Sequence, residues 1–435
     1  MLEEIGQIVT GKTPSSNVIG AFSSSGIPFV TPKDMDGRRW IETTERYLSE
    51  AGRQSLKNYL VPKDSVAVSC IGSDMGKAIL LKKDSVTNQQ INTIIVDASK
   101  HNPKYIYYVL SLKQEELKSI AGGSATPILN KGHFSKVVIE LPDKVDQDNI
   151  VQVLDSLDCK IELNNQINQT LESISQAIFK SWFIDFEPVR AKIAAKQEGK
   201  DPELAAMCAI SGKSEVELQQ MAEDDFAELQ ATAALFPDEL VESELGQVPR
   251  GWAVSNFGEI SLCFDSKRIP LSKKLREEKK GVFPYHGATS VMDYVDDFIF
   301  DGIYLLIGED GSVVKQDGTP FLQYTWSKIW VNNHAHVIQG KDTISTEWLF
   351  LFMSQTNIKP YINGAVQLKL NQKNMNSIPV IIASNEINII FNTKISGLFK
   401  KYRLLSEQNA RLMNIRDSLL SKLLSGEVDV SGEVT

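Results

Sequence analysis

Four cysteines and five histidines in 435 residues leave little from which to build a metal centre. Cys70, Cys159, Cys208 and Cys263 lie far apart and form no CxxC pair, which argues against a zinc site and a disulfide framework and reads them as small buried hydrophobes. No run of about 18 apolar residues is present to span a membrane. Met1-Leu2-Glu3-Glu4 lacks the basic region and apolar core of a signal peptide, so the expected compartment is the cytoplasm. No nucleophile and base stand at a recognisable catalytic spacing, and the chain reads as non-catalytic.

What is present is a chain large enough for two or three domains, with 42% apolar residues and a formal charge of −9. That charge is concentrated. Residues 185–245 hold five basic and fifteen acidic side chains, whereas residues 1–145 carry eighteen against fifteen and residues 246–380 fourteen against thirteen. Each flanking region is weakly basic, so the bulk acidity does not exclude a nucleic-acid partner.

The second half repeats the first. At one constant offset, Gly123 falls on Gly364, Leu129-Asn130 on Leu370-Asn371, Lys160 on Lys401, Leu163 on Leu404, Asn168 on Asn409, Leu171 on Leu412 and Ile174 on Ile415. Residues 1–145 predict an α/β lobe with strands at Val66–Val68, Gln90–Val96 and Lys136–Ile139 and a Pro-initiated helix after Asn102. Residues 246–384 repeat the order, with Tyr304–Gly308 answering Ile71-Gly72, Trp348–Phe352 the helix, and Ser377–Ile382 the last strand. After each lobe the apolar period lengthens to about 3.6 and predicts a long helix, one over residues 146–185 and one over 385–426, ahead of a tail at 427–435. The first stripe runs through Ile150, Val153, Leu157 and Ile161, then Ile167, Leu171, Ile174 and Ile178. The second runs through Leu398, Leu405, Leu412, Ile415 and Leu419. Asn164, Asn168, Gln408 and Asn409 interrupt them, either fixing the register of a helix pair or facing water. The acidic stretch at 186–245 reads as short helices mixed with mobile linker, with docking of a partner protein as the lesser alternative.

Three local motifs mislead. Gly6-Gln7-Ile8-Val9-Thr10-Gly11-Lys12-Thr13 fits the phosphate-loop pattern, but Pro14-Ser15-Ser16 follows where a helix should start, so a strand from Ile5 to Val9 and an exposed loop are expected instead. Asn102-Pro103-Lys104-Tyr105 lacks the second proline of a base-flipping methyltransferase motif and is explained by helix initiation. His334-Ala335-His336 places two imidazoles on one strand face without an acidic ligand nearby in sequence, and no metal is expected there. The surviving candidates are basic groups. Lys12, Thr13, Lys33, Arg38, Arg39 and Arg46 gather in the first lobe, and Lys267, Arg268, Lys273, Lys274 and Arg276 near the start of the second, where they suit contacts to phosphates and base edges.

Longer strings resemble one family. Ile8–Ser15 and Gly26–Asp34 resemble the opening, Ser181–Lys192 the centre, and Leu235–Asp238 with Ser243–Gly246 the second-half entry of specificity subunits of type I restriction-modification enzymes, and the resemblance spans essentially the whole chain. Pro249-Arg250-Gly251-Trp252 leads the second half; the first opens directly at Leu2-Glu3-Glu4-Ile5, as a late start codon or a truncated chain would leave it. The resemblance implies two recognition lobes that each read half of a split, asymmetric double-stranded DNA target. It also implies two helices paired as an antiparallel coiled coil with pseudo-twofold symmetry. Leu157, Ile161, Leu171, Ile174, Ile178, Leu405, Leu412, Ile415 and Leu419 are then the candidates for helix pairing and partner docking. Two methyltransferase and two restriction/translocase subunits would carry S-adenosylmethionine, ATP and magnesium, leaving no cofactor on this chain. Two other classes stay open: a phosphate-loop NTPase or single-chain methyltransferase, and a structural coiled-coil adaptor.

Overall fold

The computed structural model describes residues 1–120, 128–364 and 368–428; Gly123, one anchor of the repeat, lies outside them. The chain divides into two compact units. Met1–Leu163 with Gln408–Thr435 form the first, and Asn164–Glu407 form the second.

In the first unit, two sheets carry the lobe. One runs in the order Gly6–Thr10, Ile91–Val96, Val66–Ser69, Ala78–Leu81, Trp40–Ile41. β-Branched residues make its centre, with Ile8 opposite Ile94 and Thr93 opposite Ala67 in antiparallel register. The other runs Phe22–Ser23, Arg46–Leu48, Ile27–Val30, Ser85–Thr87, Leu60–Val61. The helix after Asn102 forms as expected, over Pro103–Leu112, with the Asn102 side chain accepting from the Lys104 and Tyr105 N–H groups. It buries Tyr105, Ile106 and Tyr108 in a core shared with Leu154, Leu420 and Leu423 of the long helices.

Three expectations change. The first strand starts at Gly6, because Leu2–Ile5 is a helical turn that buries Leu2 and Ile5. Residues 136–139 form no strand. In the second lobe Pro379–Ile382 pairs with Ala253–Asn256, whereas in the first Val137 accepts one hydrogen bond from the Leu2 N–H. Cys159 is exposed, whereas burial pushes the Cys70 thiol up to about 12.

The second lobe repeats the order of the first. Its main sheet, Ser261–Cys263, Ala335–Gly340, Tyr304–Gly308, Leu322–Thr325, matches the leading four strands of the first. By this topology Tyr304–Gly308 answers Val66–Ser69, just ahead of the Ile71-Gly72 that sequence matching suggested. The helix Thr346–Ser354 answers Pro103–Leu112. A second, three-stranded sheet joins Val291–Val295, Lys280–His286 and Trp330–Val331.

The long helices span Lys144–Phe183 and Asn385–Leu424, about 60 Å each. They pair antiparallel. In the first unit Arg416 meets Asp158 at 2.9 Å and the Asn409 amide donates to Ile161 O at 3.4 Å. In the second, the Asn168 amide donates to Ser406 Oγ at 2.9 Å and the Phe179 and Phe391 rings lie 5.8 Å apart. Asn164, Asn168 and Asn409 are buried, which favours the register-setting reading for them, whereas Gln408 is exposed.

The acidic segment is a packed helical element rather than a mobile linker. Helices Glu187–Gln197, Pro202–Ser211, Glu215–Leu218 and Glu223–Leu235 bury Ala206, Met207, Leu218, Leu229 and Ala233 among themselves. Phe186, at a left-handed φ of 54°, turns the chain out of the first long helix and packs on Trp252 at 5.6 Å. The buried Lys192 ammonium donates to Phe236 O at 2.8 Å and ties the far end of the segment to the same core.

Candidate nucleic-acid interface

The first lobe exposes Lys12, Lys33, Arg38 and Arg46. Each sits where the sheet ends or a turn projects. Arg46 lies on the Arg46–Leu48 strand with its guanidinium 4.5 Å from the Phe22 ring centre and 5.3 Å from that of Phe29, a flat charge held against an aromatic floor. Lys12 stands 5.4 Å over Tyr59, and Thr13 donates to Gln89 at 2.6 Å. Arg38 pairs with Asp36 at 2.9 Å in water, a weak contact that DNA phosphate could replace.

The Gly6–Thr13 string is not a phosphate cradle. The Gly11 N–H donates to Ile91 O and the Lys12 N–H to Thr87 O, so the amides that would face phosphate are spent on the neighbouring strands. Gly11 is glycine for packing, since a Cβ would fall 2.2 Å from the Thr87 and Asn88 carbonyl oxygens. No helix follows Lys12.

Arg39 is placed elsewhere. It is buried and reaches Asp155 at 2.5 Å, Glu162 at 3.0 Å and Asp158 at 3.4 Å on the first long helix. Tyr108 donates to Asp158 at 2.6 Å and Lys104 to Asp155 at 2.6 Å. Burial pushes the Asp155 carboxyl up, but Lys104 and Arg39 outweigh it and hold it below the usual range. Burial and then Asp158 push the Tyr108 phenol well up. Arg39 therefore seats the lobe on its helix instead of facing solvent.

In the second lobe Lys267, Lys273 and Lys274 are exposed, with Lys267 lying 5.1 Å over Phe264. Arg276 is largely covered, bonded to Asp293 at 3.2 Å and Leu271 O at 2.8 Å. Arg268 is internal, bridging Glu309 at 2.7 Å, Asp265 at 3.3 Å and Ala335 O at 2.7 Å. It belongs to a cluster the sequence could not show, because Asp265 and Glu309 are distant in the chain from His336. Buried His336 donates through Nδ1 to Asp265 at 2.5 Å and through Nε2 to Leu370 O at 2.7 Å. Asp265, Glu309 and His336 are close enough to hold a cation between them, but Arg268 and Lys369 already supply the positive charge. Burial pushes Asp265 up, yet its bonds to His336 and the Val337 N–H, with the Arg268 charge, leave it below the usual range. His334 is exposed and outside this cluster.

Lobe 2 is also seated by charge. Arg403 of the second long helix reaches Glu347 at 3.0 Å, and Tyr324 donates to the same carboxylate at 2.7 Å and contacts Arg403. Of the helix candidates, Ile161 and Leu405 are buried, Leu157, Leu171, Ile178, Leu412 and Leu419 half-buried, and Ile174 and Ile415 exposed. Leu163 and Leu404, equivalent to each other in the repeat, are exposed as well.

The type I restriction modification DNA specificity domain matches residues 1–173 and 249–412, which covers both lobes and most of both long helices. The chain belongs to this family. The specificity subunit of the HindI type I restriction enzyme from Haemophilus influenzae is 32% identical, over 95% of this chain and 97% of its own. That of the MjaIX enzyme from Methanocaldococcus jannaschii is 24% identical over 99% and 93%. The solved type I system S subunit from M. genitalium shares the fold, with a TM-score of 0.50 at 16% identity across 97% of this chain and 94% of its own. As a type I specificity subunit the chain recognises DNA and is not itself catalytic, and the NTPase, methyltransferase and adaptor readings are not favoured. The family match omits residues 174–248, where the acidic helices lie.

Proposed function

We propose that each lobe reads one half of a split, asymmetric DNA target and that the paired helices set the gap between the halves. The observation that carries this is a lobe-and-helix unit built twice on one strand order, with unlike surfaces: arginine over an aromatic floor in the first lobe, lysines beside exposed apolar residues in the second. Half-sites read from one face of B-DNA lie roughly 34 Å apart. Each long helix, at about 60 Å, has the reach to span that distance.

The helices also dock two methyltransferase subunits, and two restriction/translocase subunits complete the enzyme in the cytoplasm. S-adenosylmethionine, ATP and magnesium belong to those partners. The repeat supports a docking surface used twice. Leu163 and Leu404 are equivalent in the repeat, as are Ile174 and Ile415, and all four are exposed. Mapping modified adenines across a host genome tests the reading: a split motif modified in both halves is expected, and a continuous motif would overturn it. Deleting one helical turn from a long helix is expected to shorten the tolerated gap. An unchanged gap would refute the spacing role.

A further inference from the structure

One ribbon of the second lobe differs from its counterpart in the first, Ile27–Val30 with Arg46–Leu48, in what it exposes. Strands Lys280–His286 and Val291–Val295 form an antiparallel ribbon in which Pro284 faces Tyr294 and Tyr285 faces Asp293. One face is buried through Tyr285 and Val295 against Trp330. Tyr294, opposite Pro284, lies on the other and is 54% exposed; Met292, at a register shift between Tyr285 and His286, is 55% exposed while its sulfur accepts from the Asn332 amide at 3.6 Å. A register shift between Lys280 and Phe283 bulges the strand, and Val282 within it is 77% exposed. Three large apolar side chains on one ribbon is an arrangement that bulk water disfavours and a partner surface would cover. Strands Phe22–Ser23, Ile27–Val30 and Arg46–Leu48 of the first lobe expose no large apolar side chain.

The surroundings choose the occupant. Lys273 and Lys274, on the short helix leading into the ribbon, have side chains 84% and 86% exposed, and their ion pairs with Glu277 and Glu278 are long, at 4.0 and 3.9 Å. Lys280 opens the ribbon and is exposed. Beyond Glu277 and Glu278, the acidic groups nearby are engaged: Asp293 by Arg276 at 3.2 Å, Asp296 by Lys279 at 3.5 Å, and Asp297 by the Phe298 N–H at 2.8 Å. Apolar side chains on a two-stranded ribbon flanked by exposed, weakly paired lysines match the major groove, which admits such a ribbon, presents the thymine 5-methyl as its apolar group, and is walled by phosphates.

From this we infer that the ribbon enters the major groove of one half-site and reads thymine methyl groups through Val282, Met292 and Tyr294, while Lys273, Lys274 and Lys280 hold the flanking phosphates. The inference rests on the second lobe reading its own half-site. The test uses the assembled methyltransferase complex and duplexes of its mapped target in which uracil replaces thymine, one half-site at a time. Loss of a methyl from an apolar contact is expected to weaken binding about fourfold per contacted thymine, in one half-site. A Val282→Ser/Met292→Ser/Tyr294→Ser chain is expected to erase that difference while still assembling, since all three side chains are on the surface. The inference fails if uracil has no effect, if the triple variant leaves the effect intact, or if one half-site contains no A·T pair. It fails too if the variant keeps its DNA affinity and loses its protein subunits, which would make the ribbon a protein contact. Those outcomes leave the two-lobe reading standing. Target binding that is indifferent to one whole half-site would overturn that reading itself.

Discussion

Arg39→Met keeps most of the stem of the arginine and removes its charge from a site where the side chain is only 7% exposed. Breaking a buried ion pair from one side costs about 3–5 kcal/mol when the surviving partner is left unpaired. Here Asp155 keeps Lys104 at 2.6 Å and Asp158 keeps Arg416 at 2.9 Å, while the Glu162 side chain is 39% exposed to water. The expected loss is therefore at the lower end, about 3 kcal/mol, or two powers of ten in the opening equilibrium of the first lobe. Asp155→Asn alone is expected to cost about 1 kcal/mol and the double variant about 2, a coupling of about 2 kcal/mol. Arg38→Met is the control: the side chains of that pair are 52% and 49% exposed, so its loss is below about 1 kcal/mol. Native-state hydrogen exchange on amides of the Ile91–Val96 strand reads both. The sign with pH also follows. The folded Asp155 carboxyl titrates below its unfolded value of about 3.9, so its contribution is complete above that value and is lost as pH falls through the folded one. Removing Arg39 should raise the folded value and narrow that acid window. Equal effects of the Arg38 and Arg39 substitutions, or additive effects of Arg39 and Asp155, would refute the seat.

Lys12→Ala should leave ATP turnover by the assembled enzyme intact and reduce the slope of DNA affinity against salt by at most about one, seen in filter binding at several salt concentrations. Leu163→Glu with Leu404→Glu should change chain stability by less than about 0.5 kcal/mol in urea unfolding, as exposed positions do, and still weaken methyltransferase capture in pull-down titrations. His336→Ala should cost about 3 kcal/mol in the second lobe, because it withdraws the donor from buried Asp265. The depressed Asp265 carboxyl has the same sign as Asp155. Its stability contribution is full above about pH 4 and declines below it, measurable by acid unfolding of the wild-type chain.

The strands and the Asn102-capped helix were legible because β-branched runs and a Pro-initiated turn encode them locally. The long helices were legible in extent but not in phase. Polar residues occupy buried seam positions at Asp158, Asn164, Asn168, Ser175 and Asn409, while the apolar Leu163, Ile174, Leu404 and Ile415 face outward, so a periodicity that equates apolar with buried is inverted there. Identical outward residues in both copies were the available signal. Among the basic candidates, charge alone could not separate Lys273 in water from Arg39 and Arg268 in ion clusters, because their partners Asp155 and Glu309 are far away in sequence. Val282, Met292 and Tyr294 escaped notice because a strand alternation does not say which face the rest of the lobe covers.

The two seats differ in one respect that the repeat makes plain. At the offset relating the halves, Glu162 corresponds to Arg403. The helix thus offers carboxylates to a lobe arginine in the first seat and a guanidinium to a lobe carboxylate, Glu347, in the second. A lobe moved into the opposite seat would meet its own sign of charge. Recognition modules grafted onto this scaffold from relatives must therefore match polarity as well as shape, with a cation where Arg39 stands in the first position and an anion where Glu347 stands in the second.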